Sequence, residues 1–570
     1  MKPPLRTAPD HSLTGYPPGV PFIIANEGCE RFSFYGMRGM LVGYATALAV
    51  NLDGVPRPEA ELAGKALVHE FFSWVYVFPL LGALLADRLL GKFRTILWLS
   101  LVYCLGHAAL AFFEDPATQL RWFGAVWLNP REGLGLGLFL IALGAGGIKP
   151  CVSANVGDQF GRGNWDKLRR VYNAFYFIIN FGSFFASLFI PLLRGQEVVD
   201  PLTGHISWTG SVAWAFAVPG ILMGLATIAF WAGQSRFVHV PPSVPPRLGL
   251  LDVLSGTGLF VAFAGPVFFP RATVLGDLAV CAAGLLVFAG VFRVRQRLAP
   301  DDGFFAQLAH IVASMWREQV QRFSSGRVSA PPAPGGHWFW RHAEARFGAA
   351  AEGPRAVVRI VAIFGFVTVF WALFDQKGST WIQQAARMDR HFDLGFVAFT
   401  FLPEQFLFVN PALVMLLVPL MSLGVYPALE RRGIAFGPLR RMTAGMVIAS
   451  LAYVSVALIQ SSVDSRPAGE VHLAWQLVPY VLLTLGEVLV SVTGLEFAYT
   501  QAPPSMKSVV MGFWSLTTSL GNKLVAVLAA RLSGLSATEF FWVCAALMLV
   551  AAALFGLRAR GYVTRDYTQG

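Results

Sequence analysis

Asn26-Glu27-Gly28-Cys29-Glu30-Arg31-Phe32-Ser33-Phe34-Tyr35-Gly36-Met37-Arg38 sets four full charges inside a segment that is otherwise apolar. At about 100° per residue, Glu27, Glu30, Arg31, Phe34, Tyr35 and Arg38 share one stripe of a helix, with Glu27 and Arg31 one turn apart, and the opposite face is apolar. A charged side chain at the bilayer centre costs roughly 2.5–3.5 kcal/mol on insertion scales, so such a stripe persists only against partners or water inside a bundle. It is a candidate functional site for that reason. A soluble amphipathic helix lying at an interface is the alternative, and the many hydrophobic spans downstream weigh against it.

The composition agrees. Of 570 residues, 55% are apolar and 14% charged, and the mean hydropathy of +0.56 belongs to a polytopic membrane protein rather than a globular enzyme. A net charge of +11 would suggest nucleic acid in a soluble chain. Here the positive residues gather in alternate loops, the pattern of the positive-inside rule, and no nucleic-acid partner is expected. Cys29, Cys104, Cys151, Cys281 and Cys544 lie singly in or beside apolar spans and read as free packing residues. Ala45-Thr46-Ala47 mimics a signal-peptidase site, but the charges before it are foreign to a cleavable apolar core, so the segment reads as an uncleaved first span.

Residues 1–19 are polar and proline-rich and read as a cytoplasmic tail. Spans are expected near 21–50, 65–86, 93–113, 133–157, 171–193 and 212–233, an N-terminal bundle over 20–233. Residues 87–94 and 162–170 are basic, whereas 51–64 and 114–132 are mixed or acidic, which puts both termini in the cytoplasm. The linker 234–355 holds two more apolar stretches, 250–269 and 273–292, expected as an inserted transmembrane hairpin packed outside the main core. The rest of the linker is arginine-rich and contains Pro331-Pro332-Ala333-Pro334-Gly335-Gly336, the composition of a cytoplasmic connection with a surface helix. Six spans near 356–376, 405–429, 440–460, 473–499, 508–531 and 538–557 make a C-terminal bundle over 356–558, followed by a cytoplasmic tail, 559–570. The chain is thus read as all-α, with fourteen transmembrane helices. Two six-helix bundles around a basic linker are the plan of the major facilitator superfamily, whose halves rock about a central site. Gly82-Ala83-Leu84-Leu85-Ala86-Asp87-Arg88-Leu89-Leu90-Gly91-Lys92 resembles that superfamily's signature between its second and third spans.

Topology sorts the isolated polar residues by depth. Arg38 lies about 16 Å outward of Glu27 at 1.5 Å per residue, His69 opens the inward-running second span, and Asp375 closes the outward-running seventh. Together they make a candidate proton-sensitive gate, since histidine changes charge most easily near neutral pH and protonation weakens an Asp–Arg pair. The alternative is a structural histidine and an aspartate capping its span. Deeper lie Glu27, Glu30 and Arg31 with Lys149 in span four and Glu496 in span ten. Arg31 and Lys149 facing Glu496 would offer cations for the carboxylate and an anion for the amine of a zwitterionic ligand; buried pairs that only hold the bundle are the alternative. Tyr35, Tyr76, Tyr176, Asn180, Asn410, Trp371 and Trp514 sit at mid-span, suited to bind a peptide unit or to pack. Arg359 reads as a cytoplasmic anchor. Gly144-Ala145-Gly146-Gly147 and Ser255-Gly256-Thr257-Gly258 lack a P-loop lysine and read as close helix packing, and no G-x-S-x-G is present. No catalytic or metal-binding residue is expected, and the chain is not read as an enzyme.

Several of these stretches resemble the proton-coupled oligopeptide transporter family, also called the peptide transporter family. Glu27 to Gly36 fits its E-x-x-E-R-F-x-Y-Y-G motif. Residues 146–160, GGIKPCVSANVGDQF, look like its span-four signature, and Phe175-Tyr176-Phe177-Ile178-Ile179-Asn180 is similar to its span-five stretch. In the second half, residues 370–376 and 491–503 do the same. The resemblance implies import of di- and tripeptides, or of peptide-like drugs, driven by protons as coupling ion, with no cofactor. It implies that Glu27, Glu30 and Arg31 link protonation to binding, that Lys149 and Glu496 pair beside the peptide, and that Tyr35, Tyr76, Asn180, Asn410 and Trp371 line the site. Arg38, His69 and Asp375 would form the outer gate, and His69 resembles the second-span histidine of animal and some bacterial members. Departures are Phe34 for the motif's first tyrosine, Asn155 and Val156 in span four, and Ser422 where animal members carry an aspartate. The short loop near 463–470 lacks the large extracellular domain of animal members, and the hairpin resembles bacterial ones. The expectation is therefore a monomeric protein of a bacterial inner membrane. A symporter for nitrate, an amino acid or a drug is the alternative within the class, and an intramembrane enzyme the alternative outside it.

Overall fold

Backbone groups in lipid have no water to bond, so apolar runs of this length are confined to helices, and the computed structural model is built of them. It describes residues 6–114, 120–122, 125–270, 273–300, 304–325, 339–503 and 506–564. Among these, twelve helices are long and apolar enough to cross a membrane. Val20–Asp53 and Lys507–Arg531 bring the set to fourteen; the first carries the charged stripe and the second carries Asn522 and Lys523. The first half comprises Val20–Asp53 (span 1), Arg57–Leu90 (span 2), Lys92–Phe112 (span 3), Pro130–Asp158 (span 4), Leu168–Arg194 (span 5) and Val212–Ala232 (span 6). The hairpin is Pro246–Phe268 and Val274–Leu298. The second half comprises Glu352–Ala386 (span 7), Pro403–Arg431 (span 8), Pro438–Asp464 (span 9), Leu473–Ala498 (span 10), Lys507–Arg531 (span 11) and Ala537–Arg560 (span 12).

Two boundaries differ from the hydropathy reading in ways that matter. Span 2 begins at Arg57, before the apolar run, because its first two turns are packed against protein: Ala60 and Lys65 are buried. Span 7 does not end at 376 but passes through a tight turn, Asp375–Gly378, and resumes to Ala386. That turn brings polar residues inside the bundle. Short antiparallel β-hairpins, which the sequence reading did not anticipate, decorate the loops at the end of the bundle opposite the chain termini, the far end: Glu197 pairs with Trp208 and His391 with Thr400.

Each half has its own core. Phe34, Met37 and Met40 of span 1 pack with Phe71, Phe72, Tyr103, Ile141 and Phe216; Phe364 and Phe370 of span 7 pack with Met446, Tyr453, Tyr480, Phe541 and Phe555. Outside, large apolar side chains stay exposed at helical spacing, such as Trp98, Leu101, Leu105 and Phe112 of span 3, a surface suited to lipid rather than water. The glycine-rich stretch of span 4 is a packing seam, as its composition suggested. A Cβ on Gly82 would lie 2.2 Å from the Gly146 carbonyl oxygen and one on Gly146 would lie 2.5 Å from Phe78, so spans 2 and 4 touch backbone to backbone there.

The hairpin lies against span 2, outside the core. Phe260 stacks on Phe78 and Phe269 on Trp74, while Asp252 takes Arg295 at 2.8 Å and Arg88 at 3.5 Å. Beyond it the linker forms helices Phe304–Ser325 and Arg341–Phe347; its proline-rich stretch, 331–336, lies outside the described residues, as do residues 1–5 and 565–570 of the tails. The described part of the amino-terminal segment is docked rather than free. The His239 N–H donates to the Arg6 carbonyl, the Arg162 N–H to His11 Nδ1, and Asn164 Nδ2 to the Gly15 carbonyl.

The seam gives a direct test. Gly82→Val forces two backbones apart and is expected to cost about 1–3 kcal/mol or more, read as a lower melting temperature and a smaller monodisperse yield in detergent. Gly135→Val, where a Cβ meets nothing within 4 Å, is expected to change neither.

Candidate functional site

The stripe of span 1 folds into a compact charge cluster. Arg31 Nε lies 2.8 Å from Glu27 Oε1 and 2.7 Å from Glu30 Oε2, and all three residues are buried. One guanidinium serves two carboxylates, and Glu27 Oε2 and Glu30 Oε1 find no hydrogen-bond partner among the described residues. Buried carboxylate oxygens without donors leave hydrogen-bonding capacity unused in the middle of the bundle. Lys149 reaches in from span 4, its ammonium 4.5 Å from the centre of the Phe34 ring and 4.2 Å from that of Tyr76, with no hydrogen-bond acceptor among the described residues. The two cations balance the two anions. Phe34, which replaces a tyrosine of the motif, is fully buried against Phe71 and Phe72, so its missing hydroxyl would have met protein.

Across from this cluster, Asn410 of span 8 donates to Glu487 Oε2 at 2.8 Å and to Thr484 Oγ1 at 3.0 Å. Tyr35, Arg38, Asn180, Ser183, Ser187, Lys377, Asn410 and Glu487 enclose a cavity of about 40 Å³ between the halves. That holds a few waters and is too small for a dipeptide, so this conformation is contracted around its polar groups. Tyr176 stands about one turn of span 5 before the cavity residue Asn180, its carbonyl accepting from Asn180 Nδ2, with its side chain exposed.

Glu496 is not part of this arrangement, which corrects the expected pairing with Lys149. It is exposed and lines a separate cleft of about 340 Å³ with Ser422, Tyr426, Glu430, Arg441 and Thr493, toward the end that carries the chain termini. The reason is depth and phase: nine residues carry Glu496 about 13 Å along the axis from Glu487, and the widened turn Val488–Val492 between them alters the angle at which it points. Trp371 and Trp514 do not line the small cavity either. They pack edge to face, 6.2 Å apart, in the second-half core, where Trp371 Nε1 has no partner among the described residues. Arg359 pairs with Glu352 at 2.5 Å, near the inner end of span 7.

Arg38, His69 and Asp375 do come together, toward the far end and through an intermediary. Arg38 Nη2 donates to Asp375 Oδ1 at 2.8 Å; Asp375 Oδ2 accepts from Asn522 Nδ2 at 2.7 Å; Asn522 Oδ1 is 2.7 Å from His69 Nδ1; and His69 Nε2 is 2.8 Å from Ser379 Oγ. All five residues are buried. Because Asn522 spends its amide on Asp375, its oxygen must accept, so His69 Nδ1 carries the proton. Nε2 then accepts from Ser379 in the neutral ring, or donates to it in the imidazolium once the hydroxyl turns to the Gln376 carbonyl, 3.3 Å away. The network is satisfied in both protonation states. Gly378 makes the approach possible: a Cβ there would stand 2.9 Å from Arg38 Nε.

Further ties between the halves gather on the same side. Arg194 pairs with Glu404 at 2.9 Å, both buried, Lys523 with Glu70 at 2.6 Å, and Ser519 donates to the Ser73 carbonyl at 2.7 Å. Glu487, Lys377, Asn522 and the Arg194–Glu404 pair were absent from the sequence reading. The signal was available for Glu487, a charge fourteen residues past the start of span 10 at Leu473; Lys377 was hidden by ending span 7 at 376, one residue before it.

Comparison with known proteins follows the geometry. The model of the POT family matches residues 93–249 and 282–557. The chain is 31% identical over 464 residues to solute carrier family 15 member 1 of Oryctolagus cuniculus, covering 80% of this chain and 53% of that protein. It is 32% identical over 498 residues to solute carrier family 15 member 2 of Mus musculus, covering 86% and 55%. The chain thus spans about half the length of the curated relatives it matches. Among solved structures, the crystal structure of an auto-inhibited POT family peptide transporter is 38% identical and superposes with a TM-score of 0.70, over 97% of this chain and 99% of that one. Two six-helix halves of major facilitator type and a family match over most of the sequence agree that this multi-pass membrane protein belongs to the POT family.

Proposed function

We propose that the chain is a proton-coupled symporter that imports di- and tripeptides by alternating access across a bacterial inner membrane, with both termini in the cytoplasm. The observation that carries the reading is the cavity between the halves, lined by Arg38 and Tyr35 of the first half and by Lys377, Asn410 and Glu487 of the second, with the Arg31–Lys149 cluster on the first-half side. A peptide is a zwitterion about 5–7 Å long, and only a site with separated charges of both signs recognises its two ends. The carboxylate meets Arg31 and Lys149, the amine meets Glu487, and Tyr35, Asn180 and Asn410 take the peptide unit. A related structure supports it: the 38%-identical neighbour is a POT family peptide transporter.

Proton and peptide are coupled because they use the same groups. Entry of a proton through His69 to Asp375 removes the charge that Arg38 and Asn522 hold, loosens the chain that joins spans 1, 2, 7 and 11 and lets the far end open to the periplasm. The contracted state described above, with its ties at the far end and with Phe177 and Glu496 exposed toward the opposite end, is the one on the releasing side of the cycle. Glu27 and Glu30 receive the proton as peptide engages Arg31, and release it when the peptide leaves.

Two sets of variants test this in proteoliposomes. Glu487→Gln or Lys149→Ala is expected to abolish uphill accumulation of dialanine driven by an inward proton gradient, while Glu496→Gln retains it; wild-type uptake in Glu487→Gln would defeat the site. Asp375→Asn breaks a buried pair worth about 3–5 kcal/mol and is expected to cut proton-driven accumulation tenfold or more, while exchange of labelled for unlabelled peptide at equal pH continues. An uncoupler should collapse accumulation by the unaltered protein.

A further inference from the structure

Lys377 is the one cavity cation that the proposed mechanism does not use. It lies in the tight turn Asp375–Gly378 of span 7, is 4% exposed, and its Nζ has no hydrogen-bond partner among the described residues. Its contact is with the face of its neighbour Phe374, 2.8 Å from the ring centre. Glu487 and Asp375 act on this ammonium electrostatically without a hydrogen bond to it, so it lacks the direct acceptor that desolvation demands. The other charges nearby are occupied: Arg38 is paired with Asp375 at 2.8 Å, and one oxygen of Glu487 is held by Asn410 at 2.8 Å. Lys377 and Glu487 line the same cavity wall without a direct hydrogen bond.

We infer that Lys377 is a specificity-determining residue that makes the carrier favour peptides with an acidic side chain on the amino-terminal residue. The inference rests on the reading of this cavity as a peptide site. With the ligand's amine on Glu487, the first side chain leaves a carbon one bond from that amine and therefore reaches the groups beside Glu487. Asn410, Asn180 and Ser183 accept any polar group; Lys377 discriminates by sign. A carboxylate supplies the acceptor that the ammonium lacks, a charge-assisted hydrogen bond in a water-poor site, whereas a lysine or arginine side chain meets a like charge with nothing between. The carboxy-terminal residue is directed toward Arg31 and Lys149 in the other half and is outside the reach of Lys377. The preference is thus specific to position as well as to charge.

The test is competition against labelled dialanine in proteoliposomes, using Asp-Ala, Lys-Ala, Ala-Asp and Ala-Lys. The unaltered protein is expected to take Asp-Ala about tenfold more tightly than Lys-Ala, the ratio that one buried charged hydrogen bond gained or lost corresponds to, with a much smaller ratio for Ala-Asp over Ala-Lys. Lys377→Gln should bring the first ratio to near unity, and Lys377→Arg should keep it. Equal inhibition by Asp-Ala and Lys-Ala in the unaltered protein overturns the inference whether or not the variants fold, as does a preference that survives Lys377→Gln. If dialanine itself is not accumulated, the peptide reading fails; if it is accumulated and the ratio is flat, only the role of Lys377 fails.

Discussion

An ionised side chain withdrawn from water must find its opposite, and this molecule distributes the opposites across its two halves. Within the first half, Arg31 answers Glu27 and Glu30. Between the halves, buried Arg38 needs Asp375 and buried Arg194 needs Glu404, and the partly buried Glu70 pairs with Lys523. Neither half alone neutralises its own buried charge. Removing one member of a buried pair leaves the other stranded at a cost of about 3–5 kcal/mol, so separation of the halves at the far end requires something to stand in for the missing partner. A proton is the smallest substitute available. The same rule applied at the central cavity makes a zwitterion the complementary ligand.

The bundle that bears these charges is ordinary in its packing. Two apolar cores hold the halves, a glycine seam joins spans 2 and 4 by their backbones, and the inserted hairpin rests on span 2 through stacked rings and the shared Asp252. Seam and hairpin lie away from the cavity. The ties between halves are polar and discrete, whereas those within halves are apolar and continuous. That contrast is what lets one set break while the other persists.

Much of this was legible in the residues and some was not, for physical reasons. Span number, the isolated hairpin and the charged stripe follow from hydropathy and a helical period, which the bilayer enforces strictly. Arg38, His69 and Asp375 could be grouped by depth alone, because depth is a linear function of residue number in a helix. Rotation about the helix axis is not so forgiving. Glu487 and Glu496 share a span about 13 Å apart along its axis, and the wider turn between them changes the angle at which each one points. Asn522 is uncharged and drew no attention, yet it is the atom bridge between His69 and Asp375. Lys377 fell just past an assumed helix end that the tight turn at Asp375 does not respect.

The widened turn at Val488–Val492 lets span 10 serve two neighbourhoods that a uniform helix could not. Eleven residues are close to three full α-helical turns, so Ala498 would ordinarily come round beneath Glu487 and face the same polar space. One extra residue in the turn holds it back by about 100°, and Phe497 and Ala498 enter the second-half core instead. Span 10 therefore has a register that depends on residue count rather than on residue type. Loss of a single amino acid anywhere in that short segment would swing every side chain below it around the axis, exchanging buried faces for wet ones, while leaving all the chemistry of the remaining sequence unchanged.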